Sequence, residues 1–95
     1  MKSVYSREYR LFLCELKQAR LNAGLTQAQL AEKLRVSQSI VSKSERGERR
    51  LDLVELLDWT TALELQLEAF VTHLVTIWQV DESDCQSQVS RNDQS

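Results

Sequence analysis

Proline is absent from this 95-residue chain, and glycine occurs only at Gly24 and Gly47. Without proline nothing breaks a helix from within, and two glycines offer few of the tight turns that a sheet demands. The abundance of Leu, Gln, Glu and Arg points the same way, to an all-α chain. Histidine occurs once, at His73, and cysteine twice, at Cys14 and Cys85. These three are too few and too scattered for a zinc site. With no nucleophile–base set and no phosphate-cradling loop, the sequence argues against an enzyme and calls for no metal or cofactor. In the reducing compartment expected for the chain, Cys14 and Cys85 read as free thiols, one in a helix and one in a tail. No apolar run is long enough to span a membrane, and the N-terminus lacks a signal-peptide core. The expectation is a cytoplasmic protein with no membrane partner.

The net charge is −2, but it is unevenly spread. Residues 1–50 carry four Lys and seven Arg against five Glu, a net of +6, whereas residues 51–95 carry one Arg against nine acids, a net of −8. A basic half suited to a polyanion is followed by an acidic half with another task.

Five helices are expected. The first runs from about Ser6 to Ala23, with Tyr9, Phe12, Leu13, Leu16 and Ala23 on one face, and Gly24 stops it. The second starts at the N-cap Thr26, where Gln29 completes a capping box and Leu25 and Leu30 form a staple. The third starts at the N-cap Ser37, stapled by Val36 and Val41, and ends at Gly47. The fourth starts at Asp52 with Glu55 and the staple Leu51–Leu56, and Leu53, Leu56, Leu57, Thr60 and Leu63 are expected in the core. The fifth spans about 66–80. Its apolar residues cover an arc of about 160°, wider than one core requires. That excess marks Leu67, Phe70, Val71, Leu74, Ile77 and Trp78 as a dimer interface. Residues 1–80 thus form one domain, and the polar stretch 81–95 reads as a disordered tail.

On a helical wheel the third helix shows Gln38, Ser39, Ser42 and Lys43 on one side and Val41, Ser44 and Glu45 on the other, with Ile40 at the edge. The first set can hydrogen-bond base edges in a major groove, though a solvated helix face has a similar composition. Around it stand Gln27 at the start of the second helix, the N-cap Ser37, and Arg46, Arg49 and Arg50 after the third, all placed to meet phosphate.

The segments LTQ at 25–27, LA at 30–31, Leu34, VS at 36–37 and at 41–42, and SERGERRLD at 44–52 together resemble the helix-turn-helix family of the phage lambda repressor and Cro, called XRE-like. The resemblance covers about residues 16–63. It implies a five-helix, lambda-repressor-like domain in which Gln38, Ser39, Ser42 and Lys43 read bases and Gln27 touches phosphate. It also implies a structural salt bridge between Arg20 and Glu45. The chain departs from the family's pattern at three positions. Arg35 stands where the turn usually has Gly, Ser44 where the inner face usually has a large apolar residue, and Glu64 where Gly often separates the last two helices.

The function implied is a sequence-specific transcriptional regulator, a repressor that binds double-stranded DNA as a homodimer on a palindromic operator. An alternative is an antitoxin or phage accessory protein that represses its own operon and binds a protein partner, a toxin or phage factor, through the acidic half. A third is an interaction module without DNA binding, against which Gln38, Lys43, Arg46 and Arg50 argue.

Overall fold

The computed structural model describes residues 6–80. They fold as five α-helices: α1 (Arg7–Asn22), α2 (Gln27–Leu34), α3 (Gln38–Glu45), α4 (Leu53–Ala62) and α5 (Leu67–Trp78). The tail expected over 81–95, and Cys85 within it, lie outside the described residues.

The starts of the helices follow their caps. The Ser6 hydroxyl accepts from the Tyr9 N–H, and complete capping boxes close Thr26–Gln29 and Asp52–Glu55. The ends of the first four share one device. At Gly24, Arg35, Gly47 and Glu64 φ is between 61° and 82°. The next amide reaches back across the last turn each time, as from Leu25 to the Arg20 carbonyl (3.2 Å) and from Val36 to that of Ala31 (3.0 Å). Glycine adopts this conformation freely; Arg35 and Glu64 do not. Because a left-handed L-residue costs roughly 1–2 kcal/mol, while glycine loses part of that gain through the unfolded chain, Arg35→Gly and Glu64→Gly are each expected to stabilise the fold by up to about 1 kcal/mol. Urea unfolding measures this, and a loss of stability at either position would contradict it.

The core joins all five helices, with Phe12 and Leu16 of α1, Leu30 of α2, Val41 of α3, Leu56 and Trp59 of α4, and Phe70 and Leu74 of α5. Phe12 meets Phe70 edge-on at 6.3 Å between centroids. The two ends of the domain are clipped together by Arg7, which donates to the carbonyls of Trp78 (2.9 Å) and Val80 (2.8 Å), and by the Trp78 indole, which donates to that of Glu8 (3.1 Å).

Several expectations are corrected. Leu53 and Leu57 are not in the core: they are 68% and 48% exposed, and Trp59 fills the place instead. The leucines of α4 fall into two arcs, and composition alone does not say which faces inward. Ala23 is likewise exposed. On α5, Phe70 and Leu74 are spent on the monomer's own core, Leu67 and Trp78 pack against it, and Ile77 is half-buried. Of the residues assigned to a dimer interface only Val71 is exposed. The wide apolar arc of α5 therefore serves mainly a helix wedged against its own domain. Cys14 is disulfide-bonded rather than a free thiol. Among the described residues no group of three or more His, Cys, Asp or Glu could hold a metal ion, and no helix is long and apolar enough to cross a membrane.

Candidate nucleic-acid interface

The α2–α3 pair is built around one buried ion pair. The Arg20 guanidinium grips Glu45 with two bonds, Nε to Oε2 at 2.7 Å and Nη2 to Oε1 at 3.1 Å, and its Nη1 donates to the Leu25 carbonyl at 2.8 Å. The two side chains are 8% and 3% exposed, so both charges are desolvated and each depends on the other. Gln27 joins them by donating from Nε2 to Glu45 Oε1 at 3.0 Å. Its side chain is thereby fixed against the end of α3 instead of standing free at the start of α2. α1, α2 and α3 are locked at one point.

That lock sets the roll of α3 about its axis. Val41 and Ser44 turn inward and are fully buried, while Gln38, Ser39 and Lys43 turn outward. Gln38 and Ser39 make no side-chain hydrogen bond among the described residues, and Lys43 makes none either but lies near enough to Glu48 to help hold its carboxyl low. Ser42 is half-buried, and its hydroxyl accepts from Arg46. Ser37 occupies the N-cap without capping: its side chain makes no bond to the first turn of α3, and Val36 beside it is 40% exposed. The expected staple is thus open at Val36, and the Ser37 hydroxyl leaves the first turn of α3 uncapped. The inner position Ser44, where a larger apolar residue was missed, leaves no unsatisfied atom; its Oγ accepts a long bond from Arg49 at 3.5 Å.

The three arginines after α3 differ in their engagement. Arg49 is paired with Glu55 on α4, and its guanidinium, with help from the Asp52 backbone amide, holds the Glu55 carboxyl below the ordinary carboxylate range. It is a loop-to-helix tie. Arg46 is exposed and forks onto Glu48 at 3.0 and 3.1 Å, holding that carboxyl low by the same means. An exposed pair of this kind is worth little and exchanges readily for another anion. Arg50 is exposed and stacks over the Tyr9 ring at 4.2 Å, while the Tyr9 hydroxyl accepts from the Leu51 amide at 3.2 Å. Tyr9 thus positions the loop that carries the arginines. The sequence reading saw it only as a core residue; a tyrosine rather than a phenylalanine in an apolar stripe was the available sign.

A helix-turn-helix family model matches residues 16–70. Among solved structures, an XRE-family like protein from Pseudomonas syringae pv. tomato str. DC3000 is 37% identical, with a TM-score of 0.74, over 80% of this chain and 93% of that one. No curated protein matches the chain.

Proposed function

Since the chain belongs to the XRE-like helix-turn-helix family of DNA-binding transcription regulators, we propose that α3 enters the major groove and reads bases through Gln38, Ser39, Ser42 and Lys43. The observation that carries this reading is the outward face of α3, where Gln38, Ser39 and Lys43 are exposed and make no side-chain hydrogen bond among the described residues, on a helix whose roll is fixed by a buried ion pair. Gln offers the paired donor and acceptor that match adenine, and Lys donates to guanine. Ser37, with its uncommitted hydroxyl at the start of α3, contacts phosphate, as do Arg46 and Arg50. Gln27 and Arg49 support the interface from behind, and their phosphate contacts are secondary to their bonds with Glu45 and Glu55. One such helix covers only a few base pairs, so two copies act together on an inverted repeat, as a repressor that excludes other proteins from the site.

Selection of bound duplexes from a random-sequence pool tests the reading. The expected product is an inverted repeat with half-sites about one turn, 34–36 Å, apart; a pool that never enriches any sequence would overturn it. On the selected site Arg50→Ala is expected to weaken binding to every sequence alike and to flatten the logarithmic salt dependence by about one unit. A changed base preference with an unchanged slope would remove Arg50 from the phosphate set.

A further inference from the structure

An acid has no evident use on a surface that meets phosphate, yet Glu48 stands there. Among residues 36–51 only Glu45 and Glu48 are acidic, and Glu45 is turned inward onto Arg20. Glu48 stays outside, with a side chain 51% exposed beside the 53% of Arg46. The backbone sets its place. Gly47 takes a φ of 82°, and the Glu48 amide then donates back to the Lys43 carbonyl at 2.9 Å. This folds Glu48 against the last turn of α3, where its carboxylate meets two of the cations proposed to face DNA. It accepts from Arg46 Nε at 3.0 Å and from Nη2 at 3.1 Å, and it feels the Lys43 charge as well. The remaining nitrogen of Arg46, Nη1, donates to Ser42. Every nitrogen of the guanidinium is engaged. Its two-toothed edge, which suits phosphate and carboxylate alike, is filled by the carboxylate.

We infer that Glu48 is an internal stand-in for a DNA phosphate, which occupies the Arg46 fork in the free protein and yields it when α3 docks. This rests on the DNA-reading proposal and adds to it a residue that acts through Arg46 without touching a base. Two effects of the pair could oppose each other, since it both holds Arg46 in place and competes for it. The geometry decides between them. The edge of the guanidinium that Glu48 holds is the edge a phosphate needs, so the pair readies nothing for DNA and has to be exchanged. Both partners are exposed, so the exchange is easy and lowers affinity by no more than about fivefold. Phosphates are alike under every base pair, so the cost is the same for all sequences. Glu48 therefore sets how tightly the chain binds, while the outward face of α3 sets where.

Binding of wild type, Glu48→Gln, Arg46→Ala and the double variant to the selected duplex and to a scrambled one, each over a series of salt concentrations, tests it. Both side chains are exposed, so all four proteins are expected to give the same helical circular dichroism. Glu48→Gln is expected to tighten binding to both duplexes about three- to fivefold and to steepen the logarithmic salt dependence by up to about one unit. In the Arg46→Ala background the same substitution changes affinity by less than about 1.5-fold, because the group it releases is gone. Base preference stays as in wild type. A gain of equal size without Arg46 would reduce Glu48 to general charge repulsion and overturn the inference. So would an unchanged or weaker affinity of Glu48→Gln, or an effect confined to one base position, which would make Glu48 a base reader. A random pool that enriches no sequence would defeat the base-reading proposal alone, and the scrambled duplex would still decide the role of Glu48. Failure of all four proteins to bind either duplex would overturn both.

Discussion

Leu74→Glu is expected to abolish the cooperative thermal transition of the chain, while Val71→Glu, three residues earlier on the same helix, stays within about 1 kcal/mol of the parent. Leu74 is 5% exposed and belongs to the cluster that joins α5 to α1 and α4. Truncating such a leucine alone costs about 2–5 kcal/mol. The carboxylate adds several more, because it would be buried in a cluster of aliphatic and aromatic side chains. A domain of this size has a total stability on the order of 4–12 kcal/mol, so the variant has little or none left. Val71 is 38% exposed, and its replacement meets water. Circular dichroism during heating compares the two. A folded Leu74→Glu variant would mean that α5 can leave the domain without unfolding it, contrary to its packing.

Glu45→Ala is expected to cost about 3–5 kcal/mol, because it strands the Arg20 guanidinium in a site with 8% exposure. Arg20 would keep its bond to the Leu25 carbonyl but lose both contacts to the carboxylate, and Gln27 would lose its acceptor. The double variant Arg20→Met/Glu45→Leu removes both charges together and is expected to recover most of the loss, since apolar replacement of a buried pair is often neutral. The cycle of single and double variants in urea isolates the coupling. A single variant within 1 kcal/mol of the parent would show that the pair is solvated in solution. Recovery of stability without recovery of DNA affinity would place the value of the pair in the orientation of α3.

Much of this fold was legible because its punctuation is local. Ser6, Thr26 and Asp52 cap through bonds three residues away, and Gly24 and Gly47 end helices through their own backbone freedom, all of which a linear sequence displays. The facing of Val41 and Glu45 against Gln38 and Lys43 was legible for the same reason, since a wheel fixes relative direction. What a wheel does not fix is which of two apolar arcs turns inward. On α4, Leu53 and Leu57 compete with Leu56, Trp59 and Leu63, and only the packing of neighbouring helices decides between them. The same ambiguity made α5 look like a surface when most of its apolar side chains were committed to the core. Partner choice among the charges was equally hidden. Nothing in the run from Arg46 to Arg50 says that Arg49 turns to Glu55, Arg46 to Glu48 and Arg50 to Tyr9, because those choices depend on contacts up to 41 residues away.

The central claim is that the outward face of α3 reads bases. Binding of wild type, Gln38→Ala and Lys43→Ala to the selected site and to every single-base variant of it tests this most directly. The account predicts that each substitution erases discrimination worth about 1–3 kcal/mol at one position of each half-site and leaves the other positions ranked as before. A uniform loss at every position would contradict it and reduce these two side chains to backbone contacts.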